Sequence, residues 1–189
     1  MPLYFINDTL ILDASCVITL YASQQMGNIL RSIPKAITVA AYVFDKEALF
    51  IRTEPDEYGK RGKEKIDLQS FINRGLIRIV DIQSEDEAEE FVTLATKKIA
   101  QGEAITGAIA IKRSWSIVID DKRAHQVLSQ RASHLQLINT LELVNHWVES
   151  DLPSNEVITK TLQSIRRRAA YSPPKDHPLY QWWHRYQGG

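Results

Sequence analysis

The sequence predicts a three-layer α/β sandwich around a central, mostly parallel sheet, and three observations lead there. Short apolar runs alternate with longer amphipathic stretches, the pattern of buried strands joined by covering helices. Two of those runs, TLILD (9–13) and WSIVID (115–120), stop on an acid. At 189 residues the chain suits one domain with a short appendage, enough to bury a core without staples.

The elements follow in order. TLILD reads as a short buried strand. Ser15 is placed to cap a helix from about 16 to 32 that stops before Pro34. VAAYVFDKEALFI (39–51) carries apolar residues at helical spacing and reads as a second helix. TEPDEYGKRGKEK (53–65) is charged and punctuated by Gly and Pro, so a loop is expected. Residues 66–75 read as a helix ending near Gly75. LIRIVDI (76–82) alternates like a strand. SEDEAEEFVTLATKKI (84–99) has acids first and lysines last, as the helix dipole favours. Next come a helix over 103–113, the strand WSIVID, a helix over 122–132, a short strand LQLI (135–138) and a helix over 140–149. A break at DLPSN (151–155) divides a body, 1–150, from an extension, 151–189, made of a helix over about 155–169 and a tail rich in proline and aromatics.

Composition excludes several classes. Lys plus Arg equals Asp plus Glu, 23 each, so net charge points to no polyanionic partner, although local clusters still can. Cys16 is the only cysteine, which excludes an intramolecular disulfide and a Cys-based zinc site. The N-terminus lacks the pattern of a signal peptide. No run approaches the ~18 apolar residues of a membrane span. A cytoplasmic protein without membrane contact is expected.

The acids carry the chemistry. In open α/β sheets the site lies at the carboxyl ends of the strands. Asp13 ends the first strand, Asp120 and Asp121 end WSIVI, and Glu103 opens the helix leading into that strand. Asp13, Glu103 and Asp121 can therefore converge, and Glu47, in an otherwise apolar stretch, can point inward. Two carboxylates ~4 Å apart repel by about 4 kcal/mol at an effective dielectric near 20. Such a cluster keeps protons or takes a divalent cation. Oxygen donors without His or Cys select Mg²⁺ or Mn²⁺, ions suited to phosphodiester hydrolysis by a metal-activated water. Each acid also has a plainer use. Asp13 can cap a helix, and one of Asp120 and Asp121, Asp120 or both, can cap the helix at 122. Glu47 can pair with a base one turn away, and Glu103 suits a helix first turn in any protein.

LILDASCVI (10–18), VFDKEAL (43–49) and GEAITGAIAIKRSWSIVIDDKRA (102–124) together resemble the four motifs of PIN-domain nucleases, in order and over roughly residues 8–140. The Gly-Glu-Ala start also resembles prokaryotic, VapC-toxin-like members that open this helix in the same way. The family usually has aspartate where this chain has Glu103. Its fourth position falls on Asp121 and not on Asp120. The resemblance implies metal-dependent RNA cleavage, with Asp13, Glu47, Glu103 and Asp121 catalytic. Asp13, Glu103, Asp121 and the substitute Asp120 would hold the metal, and Ser15 would support Asp13. It also implies an antitoxin partner and a homodimer.

RNA contacts are sought in two basic stretches, Lys60, Arg61 and Lys63 in the loop and Arg166, Arg167 and Arg168 before the tail. The tail's Tyr171, Tyr180, Trp182, Trp183 and Tyr186 suit docking onto protein better than stacking on single-stranded nucleic acid. Two rival readings remain: a PIN-like module that binds without cutting, and a receiver-like phosphotransfer domain using Asp81.

Overall fold

The computed structural model describes residues 3–187. β1 (Thr9–Leu12) runs into α1 (Ala14–Ala22), and α2 (Met26–Ser32) follows. The single helix expected over 16–32 is thus two. Gln24, at φ +59°, breaks the helical path. The Ser23 hydroxyl fastens the corner by donating to Leu20 O and accepting from Gln25 N.

The second expected helix is the largest correction. Residues 39–51 hold the end of β2 (Ala36–Ala40), a single π-helical turn (Val43–Glu47) and β3 (Phe50–Arg52). AITVA is buried on both faces, so it lacks the two-residue alternation of a half-exposed strand. Pairing with β1 decides its conformation: Leu12 lies beside Val39. The loop expected at 53–65 contains β4 (Lys63–Lys65), antiparallel to β3 in a small hairpin.

The remaining elements fall close to expectation. They are α3 (Gln69–Asn73), β5 (Arg78–Val80), α4 (Glu85–Ala95), α5 (Gln101–Arg113), β6 (Ser116–Val118), α6 (Lys122–Arg131), β7 (Leu137–Ile138) and α7 (Thr140–Asp151). Gly75, at φ +70°, turns the chain out of α3. α4 stops short of its lysines; Lys97 and Lys98 lie beyond it, with Lys98 at φ +57°. The extension comprises α8 (Asn155–Ser164), a second π-helical turn (Ile165–Ala169) and α9 (Tyr180–Arg185).

The central sheet has the order β5-β2-β1-β6-β7, and every pairing in it is parallel. From β1 the chain builds outward through β2 and β5, then returns to the other side of β1 to lay down β6 and β7. The strand order therefore reverses between β1 and β6, the point where ligands bind in open sheets. One layer holds α1, α2 and α7; the other holds α4 and α5. α6 joins the second layer at Gly107, where a Cβ would lie 2.6 Å from Leu128 and 3.0 Å from Leu94. Leu10, Ile11, Leu12, Ile117 and Val118 form the fully buried centre.

The extension is packed against this body. Ser164 donates to Ala22 O at 2.8 Å, Arg168 pairs with Glu64 of β4 at 2.6 Å, and Trp183 is 1% exposed. Among the described residues no helix is long and apolar enough to cross a membrane.

Candidate active site

β1 delivers Asp13 to the reversal point. Its backbone N–H donates to Val118 O at 3.1 Å, which ties the end of β1 to β6. Its carboxylate is also the N-cap of α1: Oδ2 accepts from Ser15 N at 3.3 Å and from Ser15 Oγ at 2.8 Å. The capping reading and the site reading are both satisfied, on different oxygens. Ser15 is not the cap but the group that holds it. Oδ1 of Asp13 is buried and has no hydrogen-bond partner. Burial pushes the Asp13 carboxyl above its ordinary range, the Ser15 bonds offset part of this, and the charge of Asp121 adds to it.

β6 delivers the aspartate pair, and the two separate at once. Asp120 is clamped to α7: Oδ1 accepts from Thr140 N at 2.8 Å and Oδ2 from Thr140 Oγ1 at 2.7 Å. Burial still raises its pKa. Asp121 is the N-cap of α6, with Oδ1 accepting from Ala124 N at 2.8 Å. The cap is thus Asp121, where Asp120 or both had been expected, because α6 starts one residue later than that pairing needs.

Glu103 lies in the first turn of α5, where Oε2 accepts from Ala100 N at 2.8 Å. Burial raises its pKa most, and the charges of Asp13, Asp121 and Glu47 raise it further. Glu47 ends the first π-helical turn, and its Oε1 accepts from Gly102 N at 3.2 Å. Its pKa is raised by burial and then by Asp13. A Cβ on Gly102 would lie 1.9 Å from Oε2 of Glu47, so the absent side chain makes room for that carboxylate. The sequence reading missed this role of Gly102; the Gly-Glu-Ala start of α5 was its signal.

Four acids thus meet in electrostatic reach at one sheet edge, and none has a salt bridge to Lys, Arg or His among the described residues. The donors are all oxygen, as hard divalent ions require. In Glu47, Glu103 and Asp121 one oxygen holds a backbone N–H and the other has no protein partner, while Asp13 offers its buried Oδ1. The donor chemistry fits Mg²⁺ or Mn²⁺. As placed, no three His, Cys, Asp or Glu side chains among the described residues are close enough to hold an ion. Side-chain rotation about the existing anchors would have to complete the set.

Two of these acids, Glu103 and Asp121, open with Asp120 into a cleft of about 660 Å³. Glu103, Asp120 and Asp121 line one side, with Ser15, Lys122 and His125. Tyr171, Pro174 and His177 of the tail line the other. Their place here was not legible in the sequence, since no spacing ties residue 177 to residue 13.

The basic candidates divide. Lys60, Arg61, Lys63 and Arg166 are exposed. Arg167 pairs with Glu54 at 2.9 Å. Arg168, 6% exposed, is bound to Glu64 and Arg52 O and so fastens the extension to the hairpin. Asp81 follows β5, the edge strand, where a receiver would need a middle one.

A parallel sandwich with uncompensated acids at its reversal point defines a class of acid-site α/β proteins. Within that class, the family model described as PIN domain matches residues 9–177, and the chain belongs to that family. Among solved structures it is similar to the crystal structure of VapBC2 from Rickettsia felis bound to a DNA fragment from their promoter. The identity is 16%, the match covers 69% of this chain and 98% of that one, and the TM-score is 0.40. A comparison with curated protein sequences found no match.

Proposed function

We propose that the protein is a metal-dependent ribonuclease that hydrolyses RNA phosphodiester bonds, and that it acts as the toxin of a toxin–antitoxin pair. The observation that carries the chemistry is Oδ1 of Asp13, buried and unpartnered among acids that form no ion pair within the described residues. A buried polar atom is normally partnered, and leaving one buried acceptor unmet costs about 1–3 kcal/mol. A site that keeps one is arranged for something that binds there.

In this reading residues 1–150 carry the acids and 151–189 flank them. Asp13, Glu103 and Asp121 hold Mg²⁺ or Mn²⁺, with Glu47 beside them. When bound, the ion lowers the pKa of a water and neutralises charge on the phosphate. Ser15 fixes the rotamer of Asp13 and so aims Oδ1. Asp120 positions α7 through Thr140 and leaves the ion to its neighbour. No side chain forms a covalent intermediate, since water is the nucleophile. Lys60, Arg61, Lys63 and Arg166 contact the RNA backbone. The resemblance to VapC-type toxins adds an antitoxin, a homodimer and a cytoplasmic setting.

The purified protein is expected to cut single-stranded RNA with Mg²⁺ or Mn²⁺ and to stop in EDTA. Asp13→Asn is expected to abolish cutting with the circular-dichroism spectrum preserved. Undiminished cutting in EDTA, or full activity of the variant, would sink the metal mechanism. The acids' present bonds to backbone N–H groups favour a second reading, a PIN-like module that binds RNA or protein without cutting. RNA binding without cleavage under every metal condition would select it.

A further inference from the structure

The tail reaches the acidic cleft by a defined route. Ala170, at φ +55°, turns the chain out of the second π-helical turn. Pro173, Pro174 and Pro178 then restrict the backbone over the next stretch, so the segment is stiff before any ligand arrives. Its far end is locked by Trp183, which is buried and meets Tyr171 edge-on at 5.7 Å and 75°. A second tie runs from the Tyr186 hydroxyl to Asn155 Oδ1 at 3.4 Å.

Two polar groups on this segment are unused by the fold. Nδ1 of His177 accepts from Leu179 N at 2.9 Å. That bond fixes the neutral tautomer with the proton on Nε2. Nε2 is buried and has no partner. The Tyr171 hydroxyl bonds no group among the described residues. Both side chains line the cleft that Glu103, Asp120 and Asp121 line from the sheet side. A tail that only packed would satisfy the buried donor of His177.

We propose that Tyr171 and His177 form a subsite for an unpaired nucleobase next to the scissile phosphate, so that the tail selects which single-stranded sequence is cut. This rests on the ribonuclease reading. The chemistry separates the two walls: the acid wall suits a metal-bound phosphate, whereas the tail wall offers an aromatic face and neutral donors, the groups that stack on a base and read its edges. The cleft volume is that of a small-ligand pocket. A splayed nucleotide fits it and an A-form duplex does not. Asp176, beside His177, makes this wall a poor seat for a bare phosphate.

The test uses the full chain and a fluorescein-labelled single-stranded RNA of mixed sequence. Affinity is read by anisotropy in the Asp13→Asn background, and cut sites are read by sequencing the products of the otherwise unaltered enzyme. Tyr171→Ala and His177→Ala are each expected to weaken binding by roughly ten-fold, to raise KM more than they lower kcat, and to broaden the cut-site pattern. Tyr171→Leu keeps an apolar side chain beside Trp183 and His177→Gln keeps a polar one in the cleft, and these carry the test if the alanine variants do not fold, as checked by melting. Affinity and cut sites that match the parent in all variants would overturn the subsite. Tighter binding or faster cutting would also overturn it, and would mark the tail as an obstruction. If the parent neither binds nor cuts RNA, the ribonuclease reading fails and takes the subsite with it. A parent that cuts and variants that change nothing refute the subsite alone.

Discussion

The molecule buries carboxylates in two places and treats them in opposite ways. On the face of α4 turned to α5 and α6, Glu87 and Glu90 are 4% and 3% exposed, as little as Asp13 at 3%, and lie under arginine side chains. Each is gripped by an arginine fork. Arg113 reaches Glu87 at 2.6 and 3.1 Å, and Arg131 reaches Glu90 at 2.7 and 3.0 Å. Hydrogen bonds from these arginines pull both glutamates below their ordinary pKa. At the sheet edge burial is similar for Asp13, but no cation answers it, and Asp13, Glu47 and Glu103 are all pushed up. Burial alone therefore says little about purpose; the two places differ in what compensates the charge.

The comparison can be broken most forcefully at the α4 side. Arg113→Ala removes the cation that covers Glu87 and a bond to Asp81 O. A loss of about 1.5 kcal/mol is expected, or roughly 3–6 °C in Tm. At the sheet edge the opposite holds: without metal, Glu103→Gln or Asp121→Asn should cost no stability, because repulsion is relieved. A large loss in either acid variant, or none in Arg113→Ala, would erase the distinction.

Metal sharpens it. Mg²⁺ is expected to raise the Tm of the parent more than that of Glu103→Gln or Asp121→Asn, since an ion that binds the folded state stabilises it by mass action. Glu87→Gln should leave the metal-induced rise intact. Equal rises in the parent and in the two sheet-edge variants would count against a shared site.

The smallest effect is in pH, measured without metal. A raised carboxyl pKa means that the folded state holds more protons than the unfolded one just above the unfolded value. Stability then falls as pH rises from near 3.8 for Asp13, or 4.5 for Glu47 and Glu103, through the folded values. For Glu87 and Glu90 the sign reverses. Their contribution is full above 4.5 and is lost as pH drops through the folded values. Denaturant melts across acidic pH should show Asp13→Asn flattening the first trend and Glu87→Gln the second. The same change from both variants would contradict the assignment.

Much of the candidate site was legible because it is written in short range. Asp13, Glu103 and Asp121 sit where a strand ends or a helix begins, and parallel topology alone brings those points to one edge. β2 was not legible, since a strand buried on both faces has no alternation and AITVA runs straight into residues with helical spacing. The corner at Gln24 was missed because a left-handed residue there is held by the Ser23 hydroxyl, a contact without a sequence pattern. The tail's aromatic content forecast that it would pack. Its placement against the acids depends on Ala170, Arg168 and Trp183 acting together across the fold, which no local window contains.

Gly102 extends this to how such chains are read across a lineage. A methyl group there would occupy the place of the Glu47 carboxylate, and because that carboxylate is the free end of a flexible side chain, the acid would swing away while the sheet stayed as it is. A descendant could thus inherit every acid, fold normally and still have lost one of them from the site. Counting conserved carboxylates would score it as intact; the silent position beside Glu103 would be where the damage lies.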